Sequence, residues 1–177
     1  MLSTFSPRRS TSLKSRYRVS SDSDRPRSVI ERLKRGGISV ILAESCTGGL
    51  VSKLLTDVPG SSAVVWGGIV AYSNAAKERL LSVPGRLIRE KGAVSRETAQ
   101  AMAKGALESS GCALAIALTG IAGPDGGGPD KPVGTVFIAA AATGGRSEVR
   151  GFLFEGGRDE IRRASAEAAF DMIESFS

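Results

Sequence analysis

The sequence predicts an α/β sandwich, with helices on both faces of a five-stranded sheet that is mixed and mostly parallel. Short β-branched runs alternate along the chain with segments of helical period, which is typical of strands joined by helices. Only a few residues around Gly144 separate the fourth and fifth predicted strands, so this pair should be antiparallel. No apolar run reaches 18 residues, so no transmembrane helix is expected.

The N-terminal 25 residues differ in composition from the rest of the chain. Residues 1–25 are rich in Ser and Arg, and we expect a disordered basic tail there. An organellar transit peptide has a similar composition, but a solvated tail is the simpler interpretation. A single folded domain then covers residues 26–177. Its first helix is expected to begin at Ser28, where Ser28 and Glu31 fit a capping box, and to end at Gly36.

The spacing of apolar residues predicts the other elements. Continuous β-branched stretches indicate strands, and apolar residues three and four positions apart indicate helices. In chain order these are a strand over 38–43, a helix over 45–57, a strand over 62–72, short helices over 75–81 and 85–91, a helix over 95–109, strands over 113–118, 133–142 and 148–154, and a last helix from residue 157.

Positive charge is concentrated near the N-terminus. The chain carries a formal net charge of +6, but residues 1–36 hold ten Lys or Arg against three Asp or Glu, whereas the remaining 141 residues hold 14 against 15. The body of the protein is therefore nearly neutral and lacks a basic stripe with interleaved aromatics, which argues against a nucleic-acid partner. Since no membrane segment is present either, we expect a cytoplasmic protein.

Histidine is absent from the sequence, and this absence excludes several kinds of chemistry. A Ser-His-Asp or Cys-His pair within one chain is impossible, and the commonest transition-metal ligand is missing. Cys46 and Cys112 lie far apart and do not suggest a zinc site or a secreted disulfide framework. We therefore expect no metal and no cofactor. Acid–base chemistry must use Lys, Tyr, Asp, Glu or Cys.

Two of three candidate segments place reactive side chains where a strand ends. Residues 43–49 lie where a buried strand meets a helix N-terminus, a position that stabilises negative charge. Ser45 is placed there either as a nucleophile or as the N-cap of that helix. The second segment ends the next strand and opens a helix. Lys77 follows Tyr72 by five residues, so it can point back towards the strand end.

The third segment is the glycine-rich stretch over residues 118–128, which follows the third predicted strand. In open α/β sheets such a loop commonly receives an anionic ligand, and the alternative is a flexible linker of turn residues. Neither a Walker loop nor a Rossmann fingerprint is present. The convergence of all three segments at carboxyl ends of strands predicts one site.

Several motifs in these segments together resemble the CinA C-terminal domain family. The resemblance runs from about residue 28 to the C-terminus, with the motifs in the same order. They are Glu44-Ser45-Cys46-Thr47-Gly48-Gly49, Gly60-Ser61-Ser62, Tyr72-Ser73-Asn74 with Lys77, Gly92-Ala93-Val94-Ser95, Thr119-Gly120-Ile121-Ala122-Gly123-Pro124-Asp125-Gly126 and Lys131-Pro132-Val133-Gly134-Thr135-Val136.

The resemblance implies a fold and an activity. The fold would be a three-layer α/β/α sandwich with a five-stranded mixed sheet. The activity would be deamidation of nicotinamide mononucleotide to nicotinate mononucleotide and ammonia, in pyridine-nucleotide salvage. The catalytic Ser, Tyr and Lys proposed for the family fall on Ser45, Tyr72 and Lys77. The small-molecule substrate is expected to contact Thr47, Gly48, Thr119, Gly120, Ile121, Ala122 and Gly123.

Other interpretations of the same residues stay open from the sequence. The domain can be a nucleotide-binding module without catalysis, or a cysteine enzyme that uses Cys46. The substrate phosphate can sit on the backbone of residues 119–128 and the Thr119 hydroxyl, or on Arg158 or Arg162 in the last helix. The sequence does not give the oligomeric state, and a homo-oligomer is one possibility.

Overall fold

The computed structural model describes residues 24–177 and contains one mixed sheet of five strands. The expected tail over residues 1–25 therefore lies, apart from its last two residues, outside the described part of the chain. The described elements are α1 (Asp24–Gly36), β1 (Val40–Glu44), α2 (Leu50–Thr56), a 3-10 turn (Ser61–Ala63), β2 (Val65–Val70), α3 (Asn74–Leu81), α4 (Gly85–Lys91), α5 (Arg96–Ser110), β3 (Leu114–Gly120), β4 (Thr135–Ala142), β5 (Ser147–Leu153) and α6 (Arg158–Phe176).

The strands lie in the order β2-β1-β3-β4-β5. The central strand β1 runs parallel to both β2 and β3, whereas β4 is antiparallel to β3 and to β5. The antiparallel pairing of the last two strands is confirmed, but a mostly parallel sheet is correct only in part, since two of its four neighbouring pairs are antiparallel. No helix separates β3 from β4, so the chain returns beside β3 instead of crossing over.

Both faces of the sheet are covered by helices, which confirms the three-layer architecture. Alternate residues of β1 point to opposite faces: Val40 and Leu42 pack with α1, α2 and α6, whereas Ile41 and Ala43 pack with α3, α4 and α5. Every side chain of β1 is buried, as expected for a strand at the centre of such a sandwich.

The α5 face of the sheet is lined by small side chains, and this lets α5 approach the sheet closely. Ala115, Ala117 and Ala139 line the sheet there, opposite Ala99 and Ala103 of α5. On the far side of α5, a Cβ on Gly105 would lie only 1.8 Å from the Leu81 carbonyl oxygen, so the contact between α3 and α5 requires glycine. Gly105 therefore lets the end of α3, the helix that carries Lys77, lie directly against α5.

Two predicted helix starts are wrong. Helix α1 begins at Asp24, so Ser28 lies inside the helix and does not cap it; Pro26 is compatible with a first helical turn. Helix α2 begins at Leu50 instead of residue 45, because Gly49 adopts a φ of 92°, which ends the preceding turn and rarely suits other residues. Ser45 is consequently not the N-cap of this helix.

Strand β2 forms one edge of the sheet and exposes apolar side chains. Trp66 is 62% exposed and Val70 is 46% exposed, while β1 covers the other edge of the same strand. Within residues 24–177, no helix has both the length and the apolar character needed to cross a membrane.

Arg25 joins the start of α1 to α6. Because it precedes residue 26, where we expected the folded domain to begin, its contribution to stability tests that boundary. Its guanidinium contacts the Asp171 carboxylate and lies 3.0 Å from Glu174. Because the arginine side chain is 35% exposed, we expect Arg25→Ala to lower the free energy of unfolding by only about 1 kcal/mol, and by less in 1 M salt. Urea unfolding followed by circular dichroism measures this.

The matched control for this prediction is Arg27→Ala. Arg27 is exposed on the same helix and forms no ion pair with any residue in 24–177. Equal losses of stability from the two substitutions would show that the contacts of Arg25 with α6 contribute nothing.

Candidate active site

The carboxyl ends of β1, β2 and β3 meet at one edge of the sheet, as the sequence predicts for parallel neighbours. A cleft of about 230 Å³ opens at this edge. Side chains and loops from all three strand ends line it, together with the start of α6: Ser45, Cys46, Tyr72, Gly120, Ile121, Ala122, Gly123, Asp125, Gly126 and Arg158. The three candidate segments therefore form one site.

The Glu44 carboxylate occupies the N-terminus of α2. Glu44 is fully buried at the end of β1, and its two oxygens accept hydrogen bonds from the backbone N–H groups of Gly49, Val51 and Ser52 at 2.7–3.1 Å. The Ser52 hydroxyl also donates to it at 2.6 Å. The positive end of α2 is thus already neutralised by the protein, so it is not the anion site expected from the sequence.

Residues 45–48 form a tight turn between β1 and α2, and Ser45 begins it. The Ser45 backbone N–H donates to the Leu118 carbonyl of β3, and the Gly48 N–H donates back to the Ser45 carbonyl. Glu44 fixes the far end of the same turn. Ser45 is 7% exposed, so its side chain faces the cleft while its backbone is held from both sides.

The Lys77 amine lies in direct contact with the Ser45 hydroxyl. The two atoms Nζ and Oγ are 2.8 Å apart, and Nζ also donates to the Ala71 carbonyl oxygen at 3.0 Å. Lys77 is the fourth residue of α3 and points back along the helix to the end of β2, as the spacing from Tyr72 predicts. Its side chain is only 2% exposed.

Burial makes the neutral form of Lys77 accessible. Removal from water lowers the pKa of Lys77 from its ordinary value of 10.5, because a charged amine loses its hydration. Within residues 24–177 no carboxylate forms an ion pair with Nζ that would restore the charged form. A neutral amine can donate one N–H to Ala71 and present its lone pair to the Ser45 hydroxyl proton.

Cys46 lies next to Ser45 and lines the same cleft, but its thiol is poorly suited to attack. Burial, together with the Glu44 carboxylate, raises the pKa of Cys46 to about 12, although the backbone N–H groups of Cys46 and Thr47 and the Lys77 amine act in the opposite direction. The thiolate is the nucleophilic form of cysteine. The environment therefore favours Ser45 over Cys46.

Tyr72 lines the cleft at its mouth and does not lie between Ser45 and Lys77. Its side chain is 59% exposed, and its hydroxyl accepts a hydrogen bond from Arg158 Nη2 at 2.9 Å. Arg158 Nη1 donates to the Gly123 carbonyl at 2.8 Å. Arg158 therefore connects the end of β2 to the loop after β3 across the mouth of the cleft.

Of the expected substrate contacts, the structure brings Gly120, Ile121, Ala122 and Gly123 to the cleft, but three others do not line it. Thr47 is fully buried, and Gly48 is exposed at the end of the turn, outside the cleft. The Thr119 hydroxyl, which we expected to donate to a phosphate, is buried and donates to the Ala93 carbonyl at 2.8 Å.

The two arginines considered for the phosphate differ in position. Arg158 lines the cleft, whereas Arg162 donates two hydrogen bonds to the Thr47 carbonyl, at 2.6 and 3.1 Å, and holds the turn from outside. Only Arg158 among the two therefore has access to a ligand in the cleft.

Two features of the site were missed from the sequence although a signal existed for each. Glu44 is a carboxylate that ends an otherwise apolar strand, and a buried charge there needs donors from the next helix. Asp125 lines the cleft in the glycine-rich loop, where we considered only the backbone and the Thr119 hydroxyl. Within the described chain, no group of three or more Cys, Asp or Glu side chains is arranged to hold a metal ion.

The fold and the site define a class: an α/β protein with a serine–lysine pair at the carboxyl ends of parallel strands. Residues 23–177 match the sequence pattern of the CinA C-terminal domain, and the chain belongs to that family. It is 54% identical over 145 residues to the CinA-like protein of Geobacter sulfurreducens and 50% identical over 148 residues to that of Anaeromyxobacter sp.. These alignments cover 82% and 84% of this chain but only 35% and 36% of the relatives.

The chain thus spans about a third of the length of the curated relatives it matches. Solved structures agree over nearly the whole domain. The competence/damage inducible protein CihA from Agrobacterium tumefaciens is 44% identical with a TM-score of 0.84, over 86% of this chain and 93% of that one. A CinA superfamily protein from Escherichia coli is 26% identical with the same TM-score, over 90% and 94% of the two chains.

The buried carboxylate of Glu44 gives a prediction about the stability of the site. In Glu44→Gln, the amide NH₂ must face backbone N–H groups that now lack an acceptor, so we expect a loss of about 2 kcal/mol in the free energy of unfolding. Urea unfolding followed by circular dichroism measures this. Glu31→Gln is the control, since Glu31 is exposed on α1 and pairs only with Lys34. Equal effects of the two substitutions would contradict the role of Glu44.

Proposed function

We propose that this domain is a serine amidase that deamidates nicotinamide mononucleotide to nicotinate mononucleotide and ammonia, a step of cytoplasmic pyridine-nucleotide salvage. The observation that carries the proposal is the buried Lys77 amine 2.8 Å from the Ser45 hydroxyl. A lysine that loses its charge through burial is a suitable general base for a serine nucleophile when histidine is absent. The choice of nicotinamide mononucleotide as substrate rests on the resemblance to the CinA C-terminal domain family.

In the first half of the reaction, Ser45 Oγ attacks the carboxamide carbon while Lys77 Nζ takes the hydroxyl proton. The C–O bond forms, and the carbonyl oxygen becomes an oxyanion. The protonated amine of Lys77 then gives its proton to the nitrogen of the substrate, the C–N bond breaks, and ammonia leaves. A nicotinoyl ester on Ser45 remains. The direct contact between Nζ and Oγ makes a relay through Tyr72 unnecessary.

In the second half, a water molecule replaces the departed ammonia. Lys77 takes a proton from this water, whose oxygen attacks the ester carbonyl. When the second tetrahedral intermediate collapses, the proton returns from Lys77 to Ser45 Oγ, and the carboxylic acid product ionises. Lys77 thus alternates between base and acid, and no cofactor or metal is needed for either half.

The oxyanion can be held by the turn that follows Ser45. The backbone N–H groups of Cys46 and Thr47 donate to no oxygen of the described residues, although both interact with the Cys46 sulfur, and they belong to the turn held in place by Glu44. An oxyanion is a stronger acceptor than this sulfur and can replace it. Preorganised N–H donors directed at a developing negative charge are commonly the largest single contribution to amide hydrolysis. The Ser45 N–H is not available, since Leu118 accepts its hydrogen bond.

For the phosphate we propose Arg158 together with the backbone of residues 120–126. Arg158 lines the cleft, and among residues 24–177 its guanidinium donates only to the neutral oxygens of Tyr72 and Gly123. An anionic oxygen of the substrate can replace either of them with a stronger, charge-assisted bond. The substrate would then extend from Ser45, inside the cleft, to Arg158 at its mouth.

One prediction tests whether Ser45 or its neighbour Cys46 is the nucleophile. Ser45→Ala should abolish ammonia release from nicotinamide mononucleotide. The free energy of unfolding, measured by circular dichroism, should change by only about 1 kcal/mol, the contribution of one hydrogen bond. Cys46→Ala, which changes the neighbouring residue in the same turn, should retain activity. Near wild-type turnover in Ser45→Ala, or loss of activity in Cys46→Ala with an intact fold, would contradict the assignment. Wild-type protein that binds the nucleotide but releases no ammonia would instead favour a binding module without catalysis.

The second prediction concerns the proton of Lys77. Because only the neutral amine accepts a proton, kcat/KM should rise with pH through one ionisation whose pKa lies below 10.5. Lys77→Arg should be inactive, since a guanidinium stays charged, and Lys77→Met should be inactive but folded. A kcat/KM that rises with pH through no ionisation anywhere below 10.5 would contradict the role of Lys77 as base.

The same ionisation also affects stability. Between the lowered pKa of folded Lys77 and 10.5, the unfolded chain binds more protons at this residue, so wild-type stability should rise with pH relative to Lys77→Met. Urea unfolding of both proteins at several pH values measures the difference.

A further inference from the structure

Two opposite charges line the cleft and do not pair with each other. Asp125 and Arg158 both border it, yet no ion pair joins them. The Arg158 guanidinium donates to the neutral oxygens of Tyr72 and Gly123. The Asp125 side chain is exposed, accepts no hydrogen bond and forms no ion pair with any residue in the range 24–177. Such an arrangement suits a ligand that carries both a cation and an anion.

Of the residues in the described part of the chain that line the cleft, Asp125 alone carries a carboxylate. Glu44, which precedes Ser45, is fully buried, and its oxygens accept hydrogen bonds from the N–H groups of α2. A positive charge inside the cleft would therefore find its counter-charge at Asp125. Arg158 supplies the opposite charge at the mouth.

The proposed substrate carries such a cation close to its reacting carbon. In nicotinamide mononucleotide the ring nitrogen bonded to ribose is positively charged, and a single ring carbon separates it from the carbon that bears the carboxamide. When the carboxamide carbon contacts Ser45 Oγ, the cationic ring must therefore lie among the residues that line the cleft, where Asp125 is the available anion.

We propose that Asp125 is a specificity residue that selects a cationic pyridinium ring and disfavours the neutral, reduced dihydronicotinamide ring. The inference rests on the proposed amidase function and extends it to the substrate class: carboxamides on an N-substituted pyridinium. The two forms of the nucleotide share the same phosphate, so Arg158 does not distinguish them. The two forms differ in the charge of the ring, and the Asp125 carboxylate attracts only the cationic form.

Binding is the appropriate measurement, because reducing the ring also makes the carboxamide less electrophilic and slows its hydrolysis without any help from Asp125. The Ser45→Ala protein binds without turnover, and isothermal titration calorimetry gives Kd for nicotinamide mononucleotide and for its reduced form. Adding Asp125→Asn should weaken binding of the oxidised nucleotide by about fivefold, as for an exposed ion pair. Binding of the reduced nucleotide should stay unchanged, and 1 M salt should diminish the difference.

Asp130→Asn in the same Ser45→Ala background is the matched control, since Asp130 is exposed in the same loop but does not line the cleft. It should change neither Kd. Asp125→Glu keeps the charge and should retain most of the preference for the oxidised ring. Circular dichroism verifies that each variant is folded.

The outcomes separate this inference from the function on which it rests. If wild-type protein releases ammonia from nicotinamide mononucleotide while Asp125→Asn leaves both Kd values unchanged, the role of Asp125 is refuted and the amidase remains. An equal loss of affinity for both nucleotides would also refute it, since Asp125 would then not sense the ring charge. Wild-type protein that neither binds nor deamidates the nucleotide would overturn the proposed function, and this inference with it.

Discussion

The geometry of the site depends on one buried carboxylate. Glu44 ends the central strand β1 and accepts hydrogen bonds from three backbone N–H groups at the start of α2, so strand and helix are joined through a side chain as well as through the chain. The residues between them have no freedom to extend the helix, and they form the turn that presents Ser45. A buried carboxylate without hydrogen-bond donors would strongly destabilise the folded state. The turn, the helix start and Glu44 therefore stabilise one another.

The same arrangement keeps negative charge away from Lys77. The Glu44 oxygens face α2, while the lysine amine faces the Ser45 hydroxyl and the Ala71 carbonyl, both of which are neutral. A carboxylate beside the amine would stabilise its protonated form and remove the base. The reacting pair of Ser45 and Lys77 is therefore buried and away from carboxylates, whereas the charged side chains of Asp125 and Arg158 lie where water can reach them.

Much of this arrangement could be predicted from the sequence, because it depends on regular geometry. Parallel strands bring their carboxyl ends to one edge, and helical spacing turns Lys77 back towards the strand before it. What the sequence could not supply depends on partners that are distant along the chain. Arg25, in the first turn of α1, contacts α6 nearly 150 residues away in the sequence. The Thr119 hydroxyl, which we expected to bind a phosphate, donates to the Ala93 carbonyl instead. Arg158 reaches the cleft and Arg162 does not, and this difference likewise depends on which turn of α6 faces the cleft.

The exposed edge strand has a spectroscopic consequence. Trp66 is the single tryptophan of the sequence, and it lies 62% exposed on β2. Its indole is largely hydrated in the folded protein, so its fluorescence emission would shift little when the core unfolds. The fluorophore reports instead on its own surroundings, the outer edge of the sheet. Since β2 leads directly into Tyr72 at the mouth of the cleft, a change in tryptophan emission on adding nucleotide would originate at that edge and not in the interior.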